Sequence, residues 1–237
     1  MKIVLTSLSY FNHLRTFLLH FIIIPMFQAF LMVLIMQDYN YQLSSKIMTV
    51  SIVLSSGTMA VYMVSKLFIG NMNRGIDKYV IVHHPFSFYY WGNQFLICFF
   101  GAYLLAVING VLFASLNIVS LYYILILAPF CIVSGIVLGL FASCLSWTYH
   151  NPYFWTNIVA SMIVLLGGSV GAVSTYPPLW QLCSNVLPFS TITNMIYTNQ
   201  LDVISIFINL SIWIILTLCL YIYQCNRRIA RQRYSIF

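Results

Sequence analysis

Acidic residues are almost missing from this chain. Its 237 residues hold three Asp and Glu against ten Lys and Arg, so 5% are charged where a soluble domain carries about 25%. That scarcity excludes an ordinary water-soluble domain. The three acids, Asp38, Asp77 and Asp202, stand at or beyond the ends of apolar runs. A carrier driven by protons or sodium keeps carboxylates, histidines or broken helices near the bilayer midplane. Here His20 is the one titratable group well inside the first apolar run, and it lies near the inner side. No G-x-x-x-x-G-K-[ST] loop is present to hold ATP, and no His-Glu-x-x-His pair to hold zinc. The six cysteines make no disulfide framework. Cys98, Cys131, Cys144 and Cys219 fall inside apolar runs, Cys225 at an inner end, and Cys183 alone outside. His83 and His84, adjacent and without flanking Cys or carboxylate ligands, are a weak metal signal.

What the chain has instead is hydrophobic length. Residues are 62% hydrophobic and 17% aromatic, and runs of about 20, the length that crosses a hydrocarbon core of about 30 Å, recur. The runs are continuous rather than alternating, which disfavours a barrel. The expected fold is an all-α polytopic membrane protein, a single transmembrane domain over 1–237 with six spans at 17–36, 47–69, 89–113, 121–145, 153–173 and 203–223. The first run is too long for a signal peptide and no small-residue cleavage site follows it, so it is expected to be retained.

Basic residues set the orientation. Lys2 and Arg15 precede span one; Lys66, Arg74 and Lys78 flank or occupy the connection between spans two and three; Arg227, Arg228, Arg231 and Arg233 follow span six. With six spans these fall on one side, leaving Lys46 on the other with Asp38 and Asp202. Both termini are therefore expected in the cytoplasm. The basic balance is then explained by topology and anionic lipid, and no folded basic surface remains for nucleic acid. The segment 1–15, with Leu5, Leu8 and Leu14 as apolar positions, reads as an inner interfacial helix or a frayed end, and 224–237 as a basic cytoplasmic tail.

Three stretches stand out. In the inner connection at 70–86, Gly75 allows a turn, Pro85 ends the segment, and Arg74, Asp77 and Lys78 have the spacing to share a face of a short helix. It reads either as a lever docking on a soluble ATPase or as a solvated loop. At 174–202, "TYPPLWQLCSNVLPFSTITNMIYTNQ" is too greasy for a loop and too broken for one helix, because Pro177, Pro178 and Pro188 each remove a backbone donor. Such a segment at membrane depth survives only when buried in protein or lining a cavity, with Ser190, Thr191, Thr193 and Asn194 as donors for freed backbone groups. Tyr176 and Trp180 suit the interface belt. A plain interfacial segment on the outer surface is the alternative. Finally, Gly135 and Gly139 in span four, and Gly167 and Gly171 in span five, have the four-residue interval that lets helices approach closely.

Three of these stretches together resemble a family. "NRGIDKYVIVHHPFSFYYWGNQF", "GIVLGLFASCLSWTYHNPYFWTNIV" and "GGSVGAVSTYPPLWQLCSNVLPFSTITNMIY" are similar to the corresponding regions of type-2 ABC exporter permeases, membrane subunits often encoded beside a separate ATPase. Asn73 stands before Arg74 where that family often has a carboxylate. The resemblance implies a permease with no catalytic residues, working with cytoplasmic ABC ATPase subunits that bind the ATP and Mg, and with a second permease subunit, identical or similar. It implies a coupling loop at Arg74, Gly75, Asp77, Lys78, His83, His84 and Pro85. It implies short helices dipping into the outer leaflet as a gate, at Tyr176, Pro177, Pro178, Trp180, Pro188, Phe189, Thr191 and Asn194. The expected setting is a bacterial plasma membrane and the expected cargo amphipathic or lipophilic, a membrane-active peptide for export or self-immunity. A secondary transporter or channel, and a non-transporting immunity or scaffold protein, are the rival readings.

Overall fold

Where no water is present to take backbone hydrogen bonds, an apolar run has one local solution, the α-helix. The computed structural model describes residues 8, 11, 13–35, 41–76, 80, 84–147, 150–169 and 171–234, and no strand occurs among them. The first helix, α1 (residues 14–35), has α-helical Leu14–Leu18, a π-helical turn Leu19–Ile23 and α-helical Ile24–Ile35. It is followed by α2 (Tyr41–Asn73), α3 (Phe88–Ser115), α4 (Leu121–Ser146), α5 (Phe154–Leu166), α6 (Pro178–Val186), α7 (Pro188–Thr198) and α8 (Val203–Tyr234). Five of these, α1, α2, α3, α4 and α8, are long and apolar enough to cross a membrane, as a polytopic membrane protein requires. The surface agrees: Phe27, Leu34, Phe100, Phe207 and Ile215 point outward, while Ser56, Ser65, Ser134 and Thr193 are fully buried.

The axis of the bundle is α2, packed chiefly on α4. A Cβ built on Gly135 would stand 2.3 Å from the Gly57 carbonyl oxygen, and one on Gly139 would stand 3.0 Å from Val61 Cα. One further step along, Ser143 Oγ donates to Ser65 Oγ at 3.0 Å. Residues 57, 61 and 65 thus meet 135, 139 and 143, two four-residue ladders running in the same direction, and the small residues bring the two backbones into contact. The remaining pairings give alternating directions. Asn71 Nδ2 donates to Tyr90 OH near one end of α2 and α3, and Gly101 lies under Met63 further along, so those two are antiparallel. Parallel to α4 runs α8, through the edge-on Phe130–Phe207 pair and the Gln224 Nε2 bond to the Cys144 carbonyl.

Proline explains one long-range contact. Pro25 has no N–H for the carbonyl four residues back, that of Phe21. Asn109 Nδ2 of α3 donates to that oxygen at 2.7 Å, and the π-helical turn sits beside the lesion, a usual companion of helix distortion.

The structure refines three expectations. The fifth span is not a single run over 153–173: α5 stops at Leu166, and its 13 residues reach about 20 Å at 1.5 Å each, short of a hydrocarbon core of about 30 Å. Gly167 and Gly171 accordingly lie beyond the helix rather than on its face. The basic segment expected as a tail at 224–237 is helical as far as Tyr234, in continuation of α8, where arginines favour the negative helix end. In the N-terminal stretch Leu8 is buried and Leu14 exposed, so these two do not form one apolar stripe; Leu5 lies outside the described residues.

The start of α8 carries a measurable device. Asp202 Oδ1 accepts from the Ser205 amide at 3.2 Å and Oδ2 from Ser205 Oγ at 2.5 Å, an N-cap in form. These bonds hold the carboxyl below its ordinary value of 3.8. A lowered folded-state pKa stabilises above the unfolded value and is lost as pH falls through the folded one. Asp202→Ala is therefore expected to speed hydrogen exchange of the first α8 amides at neutral pH, and the difference from wild type disappears once the pH drops below that lowered value.

Candidate functional site

The Gly167–Gly168 turn creates a problem and the proline-broken segment solves it. Gly168 has φ +83°, the left-handed conformation that ends helices and that glycine adopts without strain. A helix end leaves its last carbonyls without intrahelical donors, which is costly away from water. Hydroxyls arrive from four places. Ser169 Oγ donates to the Val164 carbonyl at 2.6 Å, Tyr176 OH to Leu165 at 3.3 Å, Ser184 Oγ to Leu166, and Tyr197 OH to Gly168 at 2.9 Å. The donors expected for backbone freed by the prolines lie elsewhere, in α7. Ser190 and Thr193 bond back within α7, to the Leu187 and Ser190 carbonyls, and Thr191 Oγ1 accepts from Asn209 of α8. Asn194 is half-buried.

The two short helices have different surroundings. Pro178 occupies the first position of α6, where its missing N–H costs nothing. Helix α6 turns Leu179, Trp180, Leu182 and Val186 outward and Ser184 inward, an arrangement suited to lipid rather than water. Pro188 similarly opens α7, whose Phe189, Ile192, Thr193, Met195 and Ile196 are buried among α2, α4 and α8. Phe189 is fully buried, its ring 2.8 Å from where a Cβ on Gly57 would lie. At the far end Asn199 takes a left-handed conformation (φ +58°), and Lys46 Nζ donates to the Tyr197 carbonyl at 2.8 Å, a cation at a helix C-terminus. Tyr176 and Pro177 form the extended lead into α6.

Directly beneath this turn lies a cleft of about 150 Å³ lined by Gln28 and Leu31 of α1, Ser51, Leu54, Ser55 and Thr58 of α2, and Val164 and Ser169. The polar residues of α2 continue past it. Ser51, Ser55, Thr58, Tyr62 and Lys66 are spaced by four, three, four and four, which sets them on one helical face over about 22 Å. Thr58 and Lys66 are half-buried and Tyr62 is exposed. His20 of α1 lies within electrostatic reach of Lys66. Within the cleft the hydroxyls bond back along their own helix, Ser55 Oγ to the Ser51 carbonyl at 2.7 Å and Thr58 Oγ1 to Ser55 at 2.9 Å, while Ser55 Oγ sits 3.4 Å from Gln28 Oε1. Hydroxyls bonded to their own backbone are tolerated in such a helix, so Lys66, half-buried in a helix mostly covered by its neighbours, is the costly member of the seam. In the sequence, Lys66 reads only as a cation that sets topology and His20 only as a lone titratable group; the four-three-four-four interval along α2 is the signal that joins Lys66 to Ser51, Ser55, Thr58 and Tyr62.

At the opposite end, the candidate coupling stretch begins where α2 ends. Arg74 is exposed, and Gly75 turns the chain at φ +73°. Asp77, Lys78 and His83 lie outside the described residues. His84 is exposed, its amide donating to the Val80 carbonyl at 2.8 Å. The Pro85 carbonyl accepts from Trp91 Nε1 at 3.0 Å and Tyr221 OH at 2.9 Å, tying the returning limb to α3 and α8. Among the described residues no three His, Cys, Asp or Glu converge as a metal site would need. Comparison with protein-family models, curated proteins and solved structures finds no match to this chain.

Proposed function

We propose that the chain is the membrane-spanning permease subunit of an ATP-driven exporter of the ABC type. In this reading six segments cross a bacterial plasma membrane, α5 completing its crossing with the α6–α7 hairpin, and both termini are cytoplasmic. ATP and Mg bind a partner ATPase, a second permease subunit completes the pathway, and the cargo is an amphipathic or lipophilic molecule such as a membrane-active peptide. The observation that carries the reading is the polar seam on α2, from Ser51 to Lys66, leading to a cleft capped by a hairpin of two proline-opened helices. The scarcity of acids within the spans supports an external source of free energy, since an ion-driven carrier needs groups to bind its ion. The seam is partly aromatic and weakly charged, which suits amphipathic cargo better than a small ion.

Affinity purification from native membranes tests this. A nucleotide-binding subunit is expected to co-purify stoichiometrically, and joint charge reversal of Arg74, Asp77 and Lys78 is expected to cut its recovery by at least about tenfold, the effect of roughly 1.4 kcal/mol. Clean recovery of the intact chain without such a subunit favours an immunity or scaffold role. Flux of substrate through vesicles holding the purified chain alone favours a secondary transporter or channel.

A further inference from the structure

A second cavity opens on the other side of the bundle, away from the seam. Helices α3, α4 and α8 part to leave a groove of about 540 Å³ lined by Phe88, Phe95, Phe99, Val137, Leu140 and Leu218 among others. It continues into a recess of about 210 Å³ reaching Trp91 and Tyr221. The larger volume falls in the range of about 300–1,000 Å³ common for ligand sites. The hydroxyls on the wall, Thr217 Oγ1 and Tyr221 OH, are already committed to the Trp213 and Pro85 carbonyls at 2.7 and 2.9 Å. From Phe88 to Phe99 the groove follows α3 for about 16 Å, close to the depth of one leaflet of a core about 30 Å thick.

The recess ends at Trp91 and Tyr221, and behind Tyr221 the aromatic stack leads to an arginine. Trp147 stacks on Tyr221 with centroids 6.1 Å apart, Trp91 meets Tyr221 edge-on at 5.4 Å, and the Arg228 guanidinium lies 4.9 Å from the Trp147 ring centroid. Tyr221 and Arg228 are seven residues apart, two turns along one face of α8, and Arg227 beside it is exposed. The α8 sequence from Val203 to Tyr234 contains Arg227, Arg228, Arg231 and Arg233 and no acid. A guanidinium stacks through its face and hydrogen-bonds through its edge, so the two uses coexist.

From this geometry we propose that the α3–α4–α8 groove is a binding site for one acyl chain of an anionic phospholipid, whose phosphate is held at the floor by Arg227 and Arg228. The length fits one leaflet, the wall gives a chain nothing but apolar contact, and the arginine pair supplies the opposite charge where a headgroup would lie. Basic pockets between membrane helices select anionic headgroups by the same chemistry. The site is independent of any transport role.

Gly92 makes the proposal testable, because a Cβ there would meet only the edge of the Phe88 ring, at 3.9 Å. A leucine at that position fills the groove without displacing backbone. The full chain is reconstituted in phosphatidylcholine vesicles containing a minor fraction of either dibromo-acyl phosphatidylglycerol or dibromo-acyl phosphatidylcholine, and quenching of tryptophan fluorescence is read. Wild type is expected to be quenched by the anionic lipid at about fivefold lower fraction than by the zwitterionic one, and this preference should shrink at high salt. Gly92→Leu removes the added quenching with either lipid, and Arg227→Gln with Arg228→Gln removes only the headgroup preference. Circular dichroism verifies that each variant keeps its helix content. Equal quenching of wild type by both lipids, or an unaltered preference in Gly92→Leu, overturns the proposal.

Discussion

Gly135→Ala is expected to destabilise the detergent-solubilised chain by about 3 kcal/mol, the upper end for inserting a methyl into a filled interior. For a chain of this size that lowers the unfolding midpoint by roughly 6–12 °C. The reason is the nature of the obstacle. The new methyl would lie 2.3 Å from the Gly57 carbonyl oxygen and 3.1 Å from Ala60 Cβ, so neither a rotamer change nor a flexible side chain relieves the clash, and the helices must part. Separation would also stretch the Ser65–Ser143 bond two turns away. Gly92→Ala is the control. In the open groove alanine replaces a poor helix former at no steric cost, so its midpoint should stay or rise, by up to about 1 kcal/mol of propensity. If the two variants unfold alike, the close α2–α4 approach does not exist in the folded chain.

Phe189→Ala is expected to cost a similar amount, about 3 kcal/mol, for a different reason. In water the loss of a buried phenylalanine spans about 3–5 kcal/mol, combining transfer and cavity terms. Here lipid is as apolar as the core, so the transfer part shrinks and lost packing dominates, which argues for the lower end. The loss should also be local. With the Phe189 ring gone from beside Gly57 and Cys131, the start of α7 loses its largest anchor, while Ile192, Met195 and Ile196 and the Tyr197–Gly168, Asn209–Thr191 and Lys46–Tyr197 bonds remain. Exchange of the α7 amides is expected to accelerate well before that of α2 or α4. A segment lying on the outer surface would instead tolerate Phe189→Ala with little change.

How much of this was readable beforehand depends on the range of the forces involved. The long helices were legible because hydrocarbon thickness imposes a length on apolar runs. The shortness of α5 was not, since hydropathy stays high through Val173 while the helix is stopped by backbone geometry at Gly168. The donors that make that stop tolerable, Tyr176, Ser184 and Tyr197, come from 11 to 29 residues away in sequence, and nothing in their spacing marks them out from Ser190 and Thr193. The Gly135–Gly139 interval was visible, but Gly57 on the opposing helix became meaningful only in three dimensions. In the candidate site, His20 is conspicuous as a titratable group inside the first apolar run, whereas Lys66 reads from sequence only as a cation that sets topology. The serines and threonine between them were camouflaged, because small hydroxyl residues are common in membrane helices and bond harmlessly to their own backbone.

The matched ladders of α2 and α4 also decide what is free to move. Helices locked backbone to backbone, with α7 wedged beside them, form a keel that cannot shear without breaking many contacts at once. Helix α1 touches little beyond α2 and α3 and leaves most of its length outside, so it is the outrigger. Whatever work the molecule performs, the displacement will be found there first.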